Sequence, residues 1–541
     1  MTRYEYVPFD YVAPPGLITP EPRHPVAIVG AGPIGLAMAI DLAQQGVASV
    51  VLDDNNVVSI GSRAICWAKR TLEIFDRLGV GERMLDKGVT WKVGRLFHGD
   101  DEVYTFDLLP EEGHKYPAFI NLQQYHVEQY LVERAREFPD LIELRFKNNV
   151  TAHEDRGDHV VLTVETPDGS YQLEASYYIA CDGAKSPTRQ RMGLAFEGQT
   201  FEEHFLIVDV EMEQSPFETQ EPERWFWFDP PFHSGQSALL HKQPDNIYRI
   251  DLQLRPDTDL EAEAREEHVL PRIKAVVGDT PFTLDWMSIY QFRCAMMERF
   301  VHNRVIFVGD SAHVVSPFGA RGGNGGIQDV DNLAWKLVAV LEGRAPEALL
   351  ETYDSERRHG ATENLLNSSR ATHFMTPKSP IEALFRGEVL RLARDMPFAR
   401  KLINSGRLSV PCSLAGYELQ TDGDAPVPPG SAMRDAPLSG SRGDTWLISE
   451  AQGAFTLVGF GDVTLPVVDG VRRMGVGKDG VDYPVFGDKG GFCADHYGDG
   501  RAYLFRPDGH VAAVFEAPDT AQVSMALARA SGETLMQEVA E

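Results

Sequence analysis

The residues whose types and spacing could do chemistry fall into two glycine clusters and the acids beside them. Gly30, Gly32 and Gly35 form G-x-G-x-x-G within "AIVGAGPIGLAMAI". In such a run the first glycine permits a tight turn and the second lets backbone approach a pyrophosphate. The third lets helix and strand pack closely, and the helix N-terminus attracts the phosphates. Asp53 ends the next apolar run, "SVVLD", where a carboxylate can accept hydrogen bonds from ribose hydroxyls. This set is dinucleotide chemistry. Far downstream, "GARGGNGG" (Gly319–Gly326) follows Asp310 and leads into a stretch with Ile327, Val330, Leu333, Leu337 and Leu341 at helical spacing. Glycine lets backbone N–H groups come close to a ligand. A helix N-terminus stabilises an anion, and Arg321 adds a full positive charge at the same end.

The elements that must hold these residues are legible in outline. Residues 25–55 read as strand, glycine turn, helix and strand, a βαβ unit. "AKRTLEIFDRLGV" and "QQYHVEQYLVERAREF" read as amphipathic helices. "VVLTVETPDGSYQLEASYYIACDGA" reads as a hairpin with a Pro-Asp-Gly turn, followed by a strand that enters another turn. From about 196 to 300 the texture changes to strand-like alternation rich in aromatics, including "WFWFDP" and "NIYRIDLQL". A buried strand returns at "NRVIFVGD", and helical segments continue to about residue 408. A Pro/Gly/Ser-rich stretch at 422–444 reads as a linker or long loop, and short strands with a last helix beyond it suggest a small α/β domain.

Composition narrows the function classes. The chain has 541 residues, 43% hydrophobic and 24% charged, which predicts a soluble globular protein of more than one domain. A formal charge of -29 argues against a nucleic-acid binder and fits an acidic cytoplasmic protein. No apolar run is long enough for a membrane span, and the N-terminal stretch, a Pro-rich lead-in, has no signal pattern. The five cysteines are scattered without a C-x-x-C pair, which argues against a disulfide framework or a zinc site, and no residue cluster has metal-ligand spacing.

"YYIACDGAKSPTRQRMGL" and "RVIFVGDSAHVVSPFGARGGNGGIQDVDNLAWKL" resemble two signatures of the class A flavoprotein monooxygenases. These are single-component FAD aromatic hydroxylases of the para-hydroxybenzoate hydroxylase fold. Asp182-Gly183 matches the family's D-G motif and Gly309-Asp310 its G-D motif, in the family's order after the N-terminal loop. The resemblance implies an α/β fold: a Rossmann-like FAD-binding domain with an inserted mixed-sheet substrate domain. With the terminal segment "AYLFRPDGHVAAVF", which resembles a larger subgroup acting on phenols and hydroxyphenylpropionates, it also implies a thioredoxin-like C-terminal α/β domain. The expected divisions are a lead-in at 1–24, FAD-binding stretches at 25–195 and 301–410, the substrate domain at 196–300 and the C-terminal domain at 411–541.

By the same resemblance Asp53 meets the adenosine ribose, Arg63 lies near the pyrophosphate and flavin ring, and Gln124 lies beside the ribityl chain. Asp182 handles FAD and NAD(P)H, and Asp310 bonds the ribityl. Backbone at Gly322, Gly323 and Asn324 faces the flavin pyrimidine edge, where reduced flavin carries negative charge, and Pro317 lies beside flavin and substrate. The implied cycle is FAD reduction by NADH or NADPH, reaction with O2 to a C4a-hydroperoxide, and hydroxylation of a phenolic or other electron-rich aromatic. Candidates for a base that deprotonates the phenol are His241, Tyr248 and Tyr290, with Tyr290 favoured. Trp225, Trp227 and Phe228 could wall the aromatic pocket. Gln243 stands where the para-hydroxybenzoate enzymes carry a carboxylate-binding arginine, which argues against a simple 4-hydroxybenzoate substrate. A homodimer is the family expectation. Two rivals stand beside this reading. "WFWFDP" approximates a halogenase W-x-W-x-I-P motif, and a non-catalytic flavoprotein would carry the same cofactor loops.

Overall fold

The computed structural model describes residues 4–61, 63–107, 112–217, 221–233, 235–316, 319–404, 409–478 and 480–535. Three sheets organise the chain. In the first, strand His24–Val29 lies between Ser49–Asp53 on one side and Gly169–Ala180 on the other, both parallel to it. Ile142–Phe146 and Val305–Phe307 extend the sheet outward, also in parallel. Strands covered on both faces read as continuous apolar runs, and Val26, Ala27 and Ile28 are fully buried. The chain leaves His24–Val29 in the crevice between its two neighbours, the switch point where such sheets bind ligands. Helix Pro33–Gln44 starts there. It is buried from Gly35 to Ala43 because helices Gln124–Ala135 and Gly322–Leu341 pack against it. The two glycine clusters, distant in sequence, are thereby held on adjacent helices.

The second sheet is antiparallel except at one pairing, and it takes strands from three parts of the chain. Its order is His313–Val314, Thr283–Met296, Glu197–Glu211, Ile247–Leu254, Ser237–Lys242, Glu223–Phe228, Val93–His98 and Asp101–Asp107. By sequence, residues 93–107 belong with the nucleotide-binding stretch 25–195. Instead that hairpin joins the substrate sheet, pairing in parallel with Glu223–Phe228. Residues 196–300 are also not all strand, since helix Glu266–Val277 lies within them. Its Val269 and Ile273 cover one face of the sheet, against Leu206, Val208, Leu240 and Ile250. The other face turns toward the segment that carries Gly61, Arg63 and Cys66, and toward Gly319.

The third sheet, near the C-terminus, mixes parallel and antiparallel pairs around Thr456–Phe460. Its R-P-D-G turn is the docking point. Arg506, fully buried, donates from Nη1 to Glu356 Oε1 at 2.6 Å and from Nη2 to Glu356 Oε2 at 2.9 Å, and it pairs with Asp508. Arg70 donates to the Asp508 carbonyl, and Asn332 and Trp335 of the glycine-loop helix donate to its carboxylate. A motif noticed only as a resemblance is thus the rivet between the last domain and the helix that carries the second glycine cluster. Among the described residues, no helix is long and apolar enough to cross a membrane.

Candidate functional site

Each glycine of the first turn has its own reason. Gly30 has φ +108°, and a Cβ there would lie 2.3 Å from the Cys181 carbonyl oxygen. A Cβ on Gly35 would lie 1.9 Å from the Gly30 oxygen, so helix and strand could not pack as they do. At Gly32 a Cβ would meet nothing within 4 Å, which leaves backbone facing the open space a pyrophosphate requires. Asp53 locks the turn by accepting from Ala31 N at 2.6 Å and Asn55 N at 2.8 Å. Desolvation raises its carboxyl despite these bonds.

Gln124 holds the loop that carries Arg63. Its Oε1 accepts from Ala64 N at 3.0 Å, and its Nε2 donates to Glu128 at 2.7 Å and to Ser59 Oγ at 3.1 Å. Arg63 is exposed, with its carbonyl accepting from Arg249 at 3.3 Å. Asp182 accepts from Thr188 N at 2.9 Å through one oxygen, at the start of the short helix Pro187–Arg191, which Ser186 caps. Its other oxygen is buried without a protein partner. Asp310 is reached by solvent, yet protein walls it closely enough for desolvation to raise its carboxyl, with His313 and Arg63 opposing that rise. Exposure together with desolvation is what a concave groove produces. A Cβ on Gly322 would lie 3.8 Å from the Asp310 carboxylate, so groove and glycine loop adjoin.

Helix Gly322–Leu341 begins with Arg321 at its N-cap. The N–H groups of a first turn have no helical acceptor, so those of Gly322, Gly323 and Asn324 are donors in search of a ligand. The Asn324 side chain is committed elsewhere. It accepts from Ala68 N at 2.8 Å and donates to Cys66 O at 2.9 Å, which clamps the loop to strand Cys66–Ala68. Arg321 is buried, and its guanidinium donates to Asn364 at 2.9 Å. Desolvation pulls its pKa down to about 10, so it remains a cation at neutral pH. Pro317 lies outside the described residues.

Beside this loop, Trp91, Phe106, Phe119, Phe226 and Phe374 wall a cleft, to which Gly319 also contributes. Its floor is the second sheet. Register lines up one residue from each successive strand: Phe106, Gly94, Arg224, His241, Arg249, Asp209 and Trp286. Directly opposed residues share a face, so an aromatic, a cation, an imidazole and an ion pair form one row. The Arg249–Asp209 pair is closed, with Nε and Nη2 each donating to a carboxylate oxygen at 2.8 Å. His241 is buried with both ring nitrogens lacking hydrogen-bond partners, and its Nε2 is 4.0 Å from Asp251. Burial, then the charges of Arg224 and Arg249, hold its pKa well below the usual histidine range. Desolvation raises Asp251 to about 6.

Three sequence expectations change here. Tyr290 is 41% exposed, and neither it nor the buried His241 is among the residues that line the cleft. Trp225 and Trp227 pack into the core on the opposite face of the sheet, and Phe228 packs in the cluster that contains Phe226. The halogenase-like motif therefore has its tryptophans turned away from the cleft. Arg224 was missed. The signal was present in "ERWFWF", where period-two alternation puts Arg224 with Phe226 and Phe228 and sends Trp225 and Trp227 to the other side.

The parallel sheet with a glycine turn at its switch point, the second glycine helix beside it and the inserted sheet over both define a dinucleotide-binding oxidoreductase architecture. The open Gly32 backbone, the unpartnered Asp182 oxygen, the Asp310 groove and the first-turn donors at Gly322–Asn324 fit a dinucleotide cofactor running between the two loops. Residues 23–368 match the family described as FAD binding domain, and the chain belongs to that family, with FAD as its cofactor. It is 31% identical to a flavin-dependent monooxygenase of Mycobacteroides abscessus, over 67% of this chain and 78% of that protein. It is 29% identical to a 3-(3-hydroxy-phenyl)propionate/3-hydroxycinnamic acid hydroxylase of Klebsiella pneumoniae, covering 81% and 78%. Its fold matches the crystal structure of the flavin-dependent monooxygenase PieE in complex with FAD and substrate. The TM-score is 0.78 at 22% identity, covering 94% of this chain and 99% of that one. The chain is an FAD-dependent monooxygenase of the class A aromatic-hydroxylase type.

Proposed function

We propose that this chain is a self-sufficient aromatic hydroxylase, taking electrons from NADH or NADPH and inserting one atom of O2 into a phenolic ring. The observation that carries this reading is the aromatic-walled cleft, which shares Gly319 with the loop at the N-terminus of helix Gly322–Leu341. Bound FAD supplies the electron and oxygen-transfer chemistry, and the protein supplies orientation, electrostatics and water exclusion. Gly30, Gly32, Gly35 and Asp53 hold the adenosine and pyrophosphate end. Arg63, Gln124, Asp182 and Asp310 line the groove between the loops. The first-turn N–H groups at Gly322, Gly323 and Asn324, with the Arg321 charge behind them, favour negative charge on the ring system.

The phenyl walls exclude water from the reacting ring. His241 is held neutral next to Arg224 in the floor row, with Asp251 beside it. Relatives that hydroxylate 3-(3-hydroxyphenyl)propionate and 3-hydroxycinnamic acid support a substrate of that type, an aromatic catabolite with a side chain. The resemblance also implies a homodimer, which sedimentation velocity tests. For the activity itself, NAD(P)H consumption by the FAD-loaded protein should rise with some members of a phenol panel, with less than one peroxide released per NAD(P)H. Oxidation that no aromatic accelerates would refute the reading.

A further inference from the structure

We propose that Arg224 is the substrate's anion anchor, so that the cleft selects aromatics carrying a negatively charged oxygen, either a carboxylate or an ionised phenol. The proposal rests on the hydroxylase reading and names the substrate class of that site.

Arg224 lies in the row across the floor of the cleft and is one of its lining residues. The arginines around it are neutralised by carboxylates. Arg249 pairs with Asp209 at 2.8 Å, and Arg95 pairs with Glu223 at 2.6 Å and Glu102 at 2.9 Å. Arg224 has no carboxylate within ion-pair distance among the described residues. Its Nη1 points at the Cys66 sulfur, 3.7 Å away, and its Nε is buried with no partner. The guanidinium carbon sits 5.0 Å from the Phe226 ring centroid and 5.6 Å from that of Trp91, so its flat faces are packed against aromatics. Asp251 feels its charge without forming an ion pair with it: desolvation raises that carboxyl to about 6, and Arg249 and Arg224 oppose the rise.

A guanidinium with an apolar surround and unfilled donors is costly to bury and gains most from an anion that brings its own charge. Its planar fork suits a carboxylate, which can take two parallel hydrogen bonds, and a phenolate oxygen can take one. Position supports the same role. Cys66, which Arg224 touches, is tied through its carbonyl to Asn324 at the start of the glycine helix. The cation therefore lies close to the loop on which the ring system is expected, while Phe106, Phe119 and Phe374 bound the rest of the cleft. An aromatic ring seated between them would present an anionic oxygen to Arg224. Gln243, at the position the family uses for a carboxylate-binding arginine, is instead consumed by Asp209, to which it donates at 3.1 Å. The anion site has moved to a neighbouring strand.

The test is equilibrium binding to the FAD-loaded protein, read from perturbation of the flavin spectrum. One matched pair is 3-(3-hydroxyphenyl)propionate and 3-(3-hydroxyphenyl)propan-1-ol; the other is 4-nitrophenolate and 4-nitroanisole. In the wild type the charged member of at least one pair should bind roughly tenfold or more tightly than its neutral partner. Arg224→Met should abolish that gap while weakening the neutral ligand less than about twofold, and Arg224→Lys should restore part of it. The pair that shows the gap tells whether the anion is a carboxylate or a phenolate. A wild type without a gap in either pair, or a gap that survives in Arg224→Met, overturns the proposal. If neutral phenols accelerate NAD(P)H oxidation while no gap exists, the anion anchor alone falls. If no ligand of either charge perturbs the flavin or accelerates oxidation, the hydroxylase reading falls with it.

Discussion

Replacing Arg506 by methionine removes one cation from a fully buried network while keeping most of the side-chain stem. The loss leaves Glu356, itself fully buried, with Lys336 at 2.8 Å as its remaining cation. Asp508 keeps His510 at 3.3 Å and the donors Asn332 and Trp335. Breaking a buried pair by removing one partner costs about 3–5 kcal/mol. Lys336 offsets part of the loss, so the lower end, about 3 kcal/mol, is expected. For the transition that releases the C-terminal domain this corresponds to a fall in midpoint on the order of 10 °C. Calorimetry reads the midpoint, and limited proteolysis within residues 409–436 reads undocking. Arg501→Met is the control. Arg501 meets Glu516 at 4.0 Å on the surface, and such exposed pairs are worth about 1 kcal/mol or less. An Arg506→Met midpoint within about 1 °C of wild type, with unchanged proteolysis, would refute the rivet.

The same network gives a pH dependence. Desolvation pushes Glu356 up, but Arg506 and Lys336 overcome it and hold the carboxyl at about 2. A folded pKa below the unfolded one contributes stability that is present above the unfolded value and lost as pH falls toward the folded one. Domain docking should therefore weaken as pH drops from about 4.5 to about 2, and an acid titration of the calorimetric midpoint should show a shallower decline in Arg506→Met. Gly35→Ala places a methyl against the Gly30 carbonyl oxygen, which is backbone and cannot yield. A loss of about 1–3 kcal/mol and a protein purified largely without FAD are expected, read from the ratio of flavin to protein absorbance. Arg321→Ala should retain much of its FAD but slow flavin reduction or hydroxylation in stopped-flow traces. Near-normal turnover would mean that the loop and its contact with Asn364 serve packing alone.

What the sequence revealed follows from the range of the interactions involved. The G-x-G-x-x-G turn, Asp53 and the helix after the second glycine cluster are written in residues close along the chain, and periodicity sufficed for them. The hairpin Val93–Asp107 finds its sheet partner Glu223–Phe228 more than a hundred residues on, and local pattern carries no trace of that pairing. Helix Glu266–Val277 hides behind Pro271 and a highly charged start. Arg224 was readable as one phase of an alternation, but only the sheet shows which phase faces the cleft. Tyr290 has the same phase as Trp286 in the floor row but stands exposed further along its strand, and distance along a strand is not carried by alternation.

The most direct test of the central claim is oxygen incorporation. The FAD-loaded protein should be supplied with NAD(P)H, the best stimulating phenol and isotopically heavy O2, and the product weighed by mass spectrometry. The account predicts one heavy oxygen atom in a new ring hydroxyl, formed in proportion to the NAD(P)H consumed beyond that lost to peroxide. A product whose new oxygen comes from water, or stimulated oxidation that yields only peroxide for every aromatic tried, would contradict it.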